Sequence, residues 1–520
     1  MDFSPLMTAL QFKSLEFRKM DIVVIGSGIG GLTAAALLAK AGRQVLVLEQ
    51  HDRAGGYAHG FKRKKYTFDA GVHLTSGCGM RGFDGGQIIR KVLQAVDSYE
   101  QLEFIEVNPF AFVSLPELSV ELPSSIEALV KQLGDLFPHE RQGLSDLLTL
   151  CLQLAEQIAK ADDVMASSDL NHLNSELNLL FKYRRCTLSG VWQDYIHDPQ
   201  LQSIFAALWP YLGLPPEKVS FVYWASMLIG YIEDGAYYCK GGFQGLPDAL
   251  VSGLKQAGGD IRFKCHVEHI TVSDNQVQGV LLSSGEFIEA NIVISNVDMR
   301  LTVQKLIGED YFPKRYLSRL QRMTASVSIL VVYIATDLDV VQAGAHHEAF
   351  YYNELDHEVN YKNSLQGNVS WMSITVPTLV DASLAPEGEH LVVLTTLADF
   401  DQTGNWEQEK PIYVEKMLEF ADKKIPSLKD HVLFIDSGSP KTMQRYTLNH
   451  KGAAYGWDVT PEQVGANRVA NKAPIDGLFF AGHWTTPGGG VYGVSYSGVQ
   501  TAQKILGLSQ QKELWDLCAQ

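Results

Sequence analysis

Three glycines and one glutamate carry the spacing that most constrains chemistry in this chain. The stretch from Asp21 to Gly71 reads DIVVIGSGIGGLTAAALLAKAGRQVLVLEQHDRAGGYAHGFKRKKYTFDAG. Within it, Gly26-x-Gly28-x-x-Gly31 follows a hydrophobic strand, Ile22 to Ile25, and opens an Ala/Leu-rich helix from about Gly30 to Ala41. Gly26 permits a tight turn, Gly28 leaves room for a pyrophosphate against the backbone, and Gly31 lets helix and strand pack closely. The helix start, with Gly30 in its first turn, offers free N–H groups and a positive dipole end to phosphate. A second strand, Gln44 to Leu48, ends at Glu49, which is placed to accept hydrogen bonds from a ribose diol. Strand, turn, helix, strand and acidic residue come in the required order, so the pattern predicts a dinucleotide-binding βαβ unit.

The residues after Glu49 favour FAD over NAD. Gly55-Gly56 and Phe68-Asp69-x-Gly71 punctuate a loop that can lie along a flavin, the alternative being an ordinary surface turn. Near the other end, Asp476-Gly-Leu-Phe-Phe-Ala-Gly482 reads as a buried strand breaking at glycine. His483, Pro487-Gly-Gly-Gly490 and Val491 follow, leading into a helix from about Val494 to Leu506. Two glycine-rich strand-to-helix turns at opposite ends predict that both close on one long ligand, held without a covalent bond.

On these motifs the chain resembles the FAD-dependent phytoene desaturase, carotenoid isomerase and retinol saturase superfamily, over nearly all its length after Met20. Lys240-Gly-Gly-Phe-Gln-Gly-Leu-Pro247 is similar to that family's mid-chain glycine segment. Val376 to Pro386 is similar to carotenoid isomerases, and Gly452-Ala-Ala-Tyr-Gly456 to retinol saturases. His483 departs from the pattern, since the family often has Asp there to serve the ribityl or phosphate region. The resemblance implies an α/β fold with a Rossmann-type FAD-binding domain assembled from discontinuous segments, beside a mixed α+β substrate domain. We assign 20–110, 235–310 and 465–507 to the first and 111–234 and 311–464 to the second, with an N-terminal arm (1–19) and a C-terminal tail (508–520). It also implies that backbone near Val267 meets the adenine.

Composition narrows the partners. With 46% hydrophobic and 20% charged residues, the 520-residue chain reads as globular with a large core. A net charge of −16 disfavours nucleic acid. Lys62-Arg-Lys-Lys65 is a dense basic run, read as a solvated turn or an anionic-surface contact. The six cysteines lack a C-x-x-C pair, which suggests a reducing compartment and no metal site. The longest uncharged run near the middle, Val219 to Ile232, is too short to span a bilayer, and no cleavable signal peptide is visible. The expected location is cytoplasmic or at a membrane periphery.

Residues 204–238 are dense in aromatics, Trp209, Tyr223, Trp224 and Tyr231 among them. They form either a helical core or an apolar path for a lipophilic substrate, packing on one face and lining a tunnel on the other. Because a flavin performs the redox step itself, the remaining need is for protons and charge. His73, Arg445 and Tyr455 are the candidates, with Arg445 as an electrostatic clamp because a guanidinium does not give up its proton. The expected activity is on carbon–carbon double bonds of a carotenoid- or retinoid-like polyene, by isomerisation or saturation. The alternatives are a carotenoid desaturase, a flavin amine oxidase, or a non-catalytic prenyl-lipid carrier like the Rab GDP-dissociation inhibitors. One dinucleotide unit and no second predicts electrons from a quinone or a reductase partner.

Overall fold

The computed structural model describes residues 19–83, 86–165 and 170–519. The expected N-terminal arm therefore lies outside the described residues except for Lys19, which already belongs to the first strand. That strand, Lys19–Ile25, is rich in β-branched residues and is buried on both faces. Ile22 and Val24 point into one core, Val23 and Ile25 into another. This is the pattern of a central parallel strand covered on both sides. It pairs in parallel with Val45–Leu48 on one edge and Phe287–Ser295 on the other. Asp260–Arg262 extends the sheet beyond Val45–Leu48, and Leu478–Phe480 runs parallel to the end of Phe287–Ser295. An antiparallel meander, Val267–Ser273 and Gln276–Leu282, completes it. This is a Rossmann-type sheet built from separated stretches of chain. Helices Ile29–Lys40, Gly245–Gln256 and Val491–Leu506 cover one face.

A second sheet has seven strands in the spatial order Val432–Gly438, Ser328–Thr336, His390–Ala398, Trp371–Thr375, Glu348–Tyr352, Ala111–Ser114 and Ser119–Leu122. Its pairs are antiparallel apart from Glu348–Tyr352 with Ala111–Ser114. Phe350 and Tyr352 point toward a layer of helices that includes Arg141–Ala159 and Phe221–Ile229. Ala349 and Tyr351 point the opposite way, toward Trp406–Lys424. Residues 511–518, expected as tail, instead form a helix whose Leu514 and Cys518 are buried in the same core as Leu37.

Candidate functional site

The two glycine turns meet. A Cβ on Gly30 would lie 2.8 Å from both the N and Cα of Gly482, so nothing larger than glycine lets the first helix approach the C-terminal turn this closely. Gly482 itself has φ +95°, a left-handed conformation that favours glycine. Gly56 closes the third side, since its Cβ would lie 3.2 Å from Gly28 Cα, and Gly55 N donates to Ser27 O at 2.9 Å. Asn296, just past the third parallel strand, wedges between the turns. A Cβ on Gly28 would meet its Nδ2 at 2.6 Å, and one on Gly482 its Oδ1 at 2.6 Å. Gly31 does not reach the cleft. Its bare Cα packs against Gly26 O and Asn296 Cβ, the helix-to-strand contact expected of it.

Around this junction lies a cleft of about 890 Å³. Gly26, Gly28, Gly30, Glu49, Gly55, Gly56, Val267, Gly482, His483, Gly490 and Val491 all border it. Two helices begin on its wall, Ile29–Lys40 after Gly28 and Val491–Leu506 after Gly490, and neither has a side-chain cap. Their first N–H groups and dipoles face the space where a pyrophosphate would lie. A bare Gly490, with nothing within 4 Å of its Cβ position, leaves that wall open. The residues therefore fit a dinucleotide with two phosphates.

Glu49 does more than its spacing implied. One carboxylate oxygen accepts from Ser27 N at 2.8 Å and Ser27 Oγ at 2.6 Å, the other from His51 N at 2.7 Å. It ties the end of the second strand to the glycine turn while still bordering the cleft. His483 is held by its neighbours. Burial, and then the Arg468 guanidinium, pull its pKa down to about 3, so the ring is neutral. Its carbonyl accepts from Arg468 at 2.6 Å, and that 1% exposed arginine also donates to Thr485 O and Trp457 O. Arg468 and Asn296 were not singled out from sequence. A polar residue directly after a buried parallel strand marks the carboxyl edge where α/β sheets bind ligands, and it was the available signal for Asn296.

Where the second sheet meets the cleft, its lining turns apolar, with Phe61, Ile329, Tyr333 and Met443. Phe61 and Tyr333 meet edge-on at 4.9 Å, and Phe61 stacks on Phe68 at 5.6 Å. Arg63 pairs with Asp436 at 2.9 Å on the same lining. The Phe61–Tyr333 and Arg63–Asp436 contacts join segments hundreds of residues apart, which sequence spacing does not reveal.

Arg445 and Tyr455 border the cleft, whereas His73 does not. Arg445 is exposed. Tyr455 donates its hydroxyl to Pro210 O at 2.7 Å, and burial raises its pKa. His73 is half-buried, its Nδ1 has no partner, and burial followed by nearby His347 lowers its pKa to about 4. The aromatic segment divides by face. Trp209 and Trp224 are fully buried in the main core, Trp224 against Phe205 at 4.7 Å. Val222, Tyr223, Ser226 and Met227 on the opposite helix face stay half-buried, as does Tyr231. The Tyr223 hydroxyl donates to Gly489 O at 2.9 Å and so supports the C-terminal glycine turn directly.

The sequence profile described as flavin containing amine oxidoreductase matches residues 29–506. Prolycopene isomerase from Daucus carota is 29% identical, spanning 96% of this chain and 82% of that protein. All-trans-retinol 13,14-reductase from Rattus norvegicus is 28% identical, spanning 89% and 82%. The crystal structure of an oxidoreductase from Methanosarcina mazei superposes with a TM-score of 0.63 at 18% identity, covering 93% of this chain and all of that one, which establishes the shared fold. With its glycine cradle, two uncapped helix starts and a profile match across nearly the whole chain, this protein belongs to the flavin containing amine oxidoreductase family, and FAD is its cofactor.

Proposed function

We propose that this flavoenzyme acts on carbon–carbon double bonds of a lipophilic polyene or isoprenoid, by cis–trans isomerisation or by saturation. The observation that carries the reading is similarity over nearly all of the chain to a prolycopene isomerase and to a retinol 13,14-reductase. Bound FAD supplies hydride exchange with one carbon centre of the substrate. The chain's own residues supply the rest. Helix starts at Gly28 and Gly490 offset phosphate charge, and Tyr223 fixes the turn at Gly489. The lining of Phe61, Ile329, Tyr333 and Met443 receives apolar carbon and excludes water. Tyr455, its proton committed to Pro210, orients substrate rather than exchanging protons. Arg445 acts as an electrostatic clamp at the mouth, and neutral His73, set back from the cleft beside Val72, is our candidate to relay a proton by way of water.

Electrons then come from a quinone or a reductase partner, and a peripheral membrane contact delivers the insoluble substrate. Support for the former is the single dinucleotide unit in the sequence. No helix among the described residues is long and apolar enough to cross a membrane.

The test is anaerobic incubation of photoreduced protein with cis-carotenoids, retinol and unsaturated fatty acids, without nicotinamide, followed by product mass and isomer analysis. Isomerised or saturated polyene is the expected product. Strict stoichiometric dependence on NAD(P)H, turnover of small polar amines instead, or colourless protein after FAD reconstitution would each refute the assignment.

A further inference from the structure

A continuous chain of contacts forms the mouth of the cleft. The Tyr446 ring meets the His51 ring edge-on at 5.6 Å, and His51 lies 5.5 Å from His59. His59 lies 6.4 Å from Phe61, and the Arg63 guanidinium sits 4.9 Å over the Phe61 ring. Arg63 pairs with Asp436 at 2.9 Å. Lys64, in the turn between the hairpin strands Gly60–Arg63 and Tyr66–Asp69, lies 5.2 Å over the neighbouring Phe434 ring. Tyr446, His51, His59, Phe61, Arg63 and Asp436 all line the cleft. Tyr446 is 44% exposed, and the side chains of Arg63 and Asp436 are 46% and 37% exposed, so the cleft opens to solvent here.

This rim is cationic on an acidic protein. The chain carries a net charge of −16. Yet the carboxylates at the rim, Asp52, Asp436 and Glu389, pair with Arg53, Arg63 and Lys65. Lys62, Lys64 and Arg445 are exposed and have no carboxylate partner among the described residues. The uncompensated charge is therefore positive. Large apolar side chains stand out beside it. Leu433 and Ile435, on either side of Phe434, are 43% and 39% exposed. Their strand, Val432–Gly438, is at the edge of the second sheet and pairs with Ser328–Thr336 alone among the described strands. Just inside the mouth the wall is Phe61, Ile329, Tyr333 and Met443. Cations beside exposed apolar groups are what an anionic bilayer recognises, since the cations meet headgroup phosphates and the apolar groups enter the boundary beneath. An acidic protein surface would use the cations but not the apolar interior behind them. The basic helix Lys314–Arg322 offers a contrast, because none of its cations borders the cleft.

We infer that this rim seats on an anionic lipid bilayer through Lys62 and Lys64, the edge-strand residues Leu433 and Ile435, and the Tyr446 ring. The cleft then opens into the membrane rather than into water. The inference names the surface and the lipid class of the membrane contact above, and it rests on the reading of an apolar substrate. A polyene passes from the acyl layer by way of Tyr446 to Phe61 and Tyr333 without crossing bulk water.

The experiment is co-sedimentation of the FAD-loaded protein with vesicles of phosphatidylcholine alone and of phosphatidylcholine with about 30% phosphatidylglycerol. Binding to the anionic vesicles should be at least about tenfold tighter, and about 0.5 M salt should release it. The double variant Lys62→Glu, Lys64→Glu should weaken anionic binding by at least about tenfold. Leu433→Ser with Ile435→Ser should weaken it by about fivefold. Arg315→Glu with Arg322→Glu, on the other basic helix, should leave it within about twofold. Flavin absorbance and melting verify each fold. Both lysines are exposed at a turn, so their reversal keeps the test decisive if the strand variant does not fold. Equal binding to neutral and anionic vesicles, no binding to either, or equal weakening by the helix variant would overturn the inference. So would lysine-dependent retention on immobilised acidic flavodoxin in place of vesicles, which assigns the rim to a protein partner. Vesicle binding without turnover of any polyene would support the rim and refute only the reaction assignment. Turnover of polyene in detergent without vesicle binding would refute only the rim.

Discussion

Glu49 and Gly28 sit a few bonds apart in function and fail in different ways when changed. Gly28→Val should abolish FAD binding, because a Cβ there already lies 2.6 Å from Asn296 Nδ2 and a branched side chain fills the phosphate space besides. The flavin-to-protein absorbance ratio of purified variant should fall to background. Glu49→Ala removes the acceptor of Ser27 N, Ser27 Oγ and His51 N. It should weaken FAD by roughly 1.5–3 kcal/mol and lower the apo-protein's melting temperature too, the signature that separates a turn-holding role from ribose contact alone. Glu348 supplies a pH prediction. Its folded pKa of about 7 lies above the 4.5 of a free glutamate, so the folded state holds the proton where the unfolded state has released it. Stability from this group is therefore present below pH 4.5 and declines as pH rises toward 7. Glu348→Gln removes that decline. Relative to wild type, the variant should gain on the order of 3 kcal/mol between pH 4.5 and 7.5 in urea unfolding. A constant difference across that range would contradict a titrating Glu348. His483, pulled down to about 3, acts oppositely, and its contribution is lost as pH falls below about 6.5.

The helix Phe221–Ile229 shows what spacing can and cannot reveal. Its buried face carries Phe221, Trp224, Ala225 and Leu228, and its accessible face Val222, Tyr223, Ser226 and Met227. Both faces are mostly apolar or aromatic, so composition offers no contrast from which to choose the lining side. Trp224→Ala should cost about 3–5 kcal/mol of stability with normal activity per folded molecule. Met227→Ala should leave the melt within about 1 kcal/mol and weaken polyene binding. A thermal melt beside a retinol titration of both variants distinguishes the faces. The first βαβ unit was legible because all its determinants, from Ile22 to Glu49, are local. The strands Glu348–Tyr352 and Val432–Gly438 were not anticipated, and with them went Glu348, Asp436 and the register that sets Thr375 opposite Glu348. Sheet partners drawn from distant segments leave little trace in a single stretch of sequence.

At the scale of the whole molecule, the expected division of the chain anticipated two sheets, but not how tightly the last residues join the first. The helix Gln511–Cys518 reads as a polar tail because only one face is apolar and it is short, yet Leu514 and Cys518 are fully buried beside the first helix. Truncation after Leu508 should destabilise the protein by at least the roughly 2–5 kcal/mol of one lost core leucine, and FAD should be released at a lower temperature than from the full chain. Flavin fluorescence during a thermal ramp reads both; an unchanged release temperature would show the helix to be dispensable.

The contact of Gly30 with Gly482 also sets an order of events during biosynthesis. Gly30 leaves the ribosome 452 residues ahead of its backbone partner Gly482, so the nascent chain exposes half a cradle throughout that interval. The βαβ unit can fold on its own schedule, whereas the wall at Gly482 and Gly490 closes only once those residues have emerged. Cofactor capture thereby waits on the second turn, and a ribosome that stalls before it releases a product unable to retain flavin.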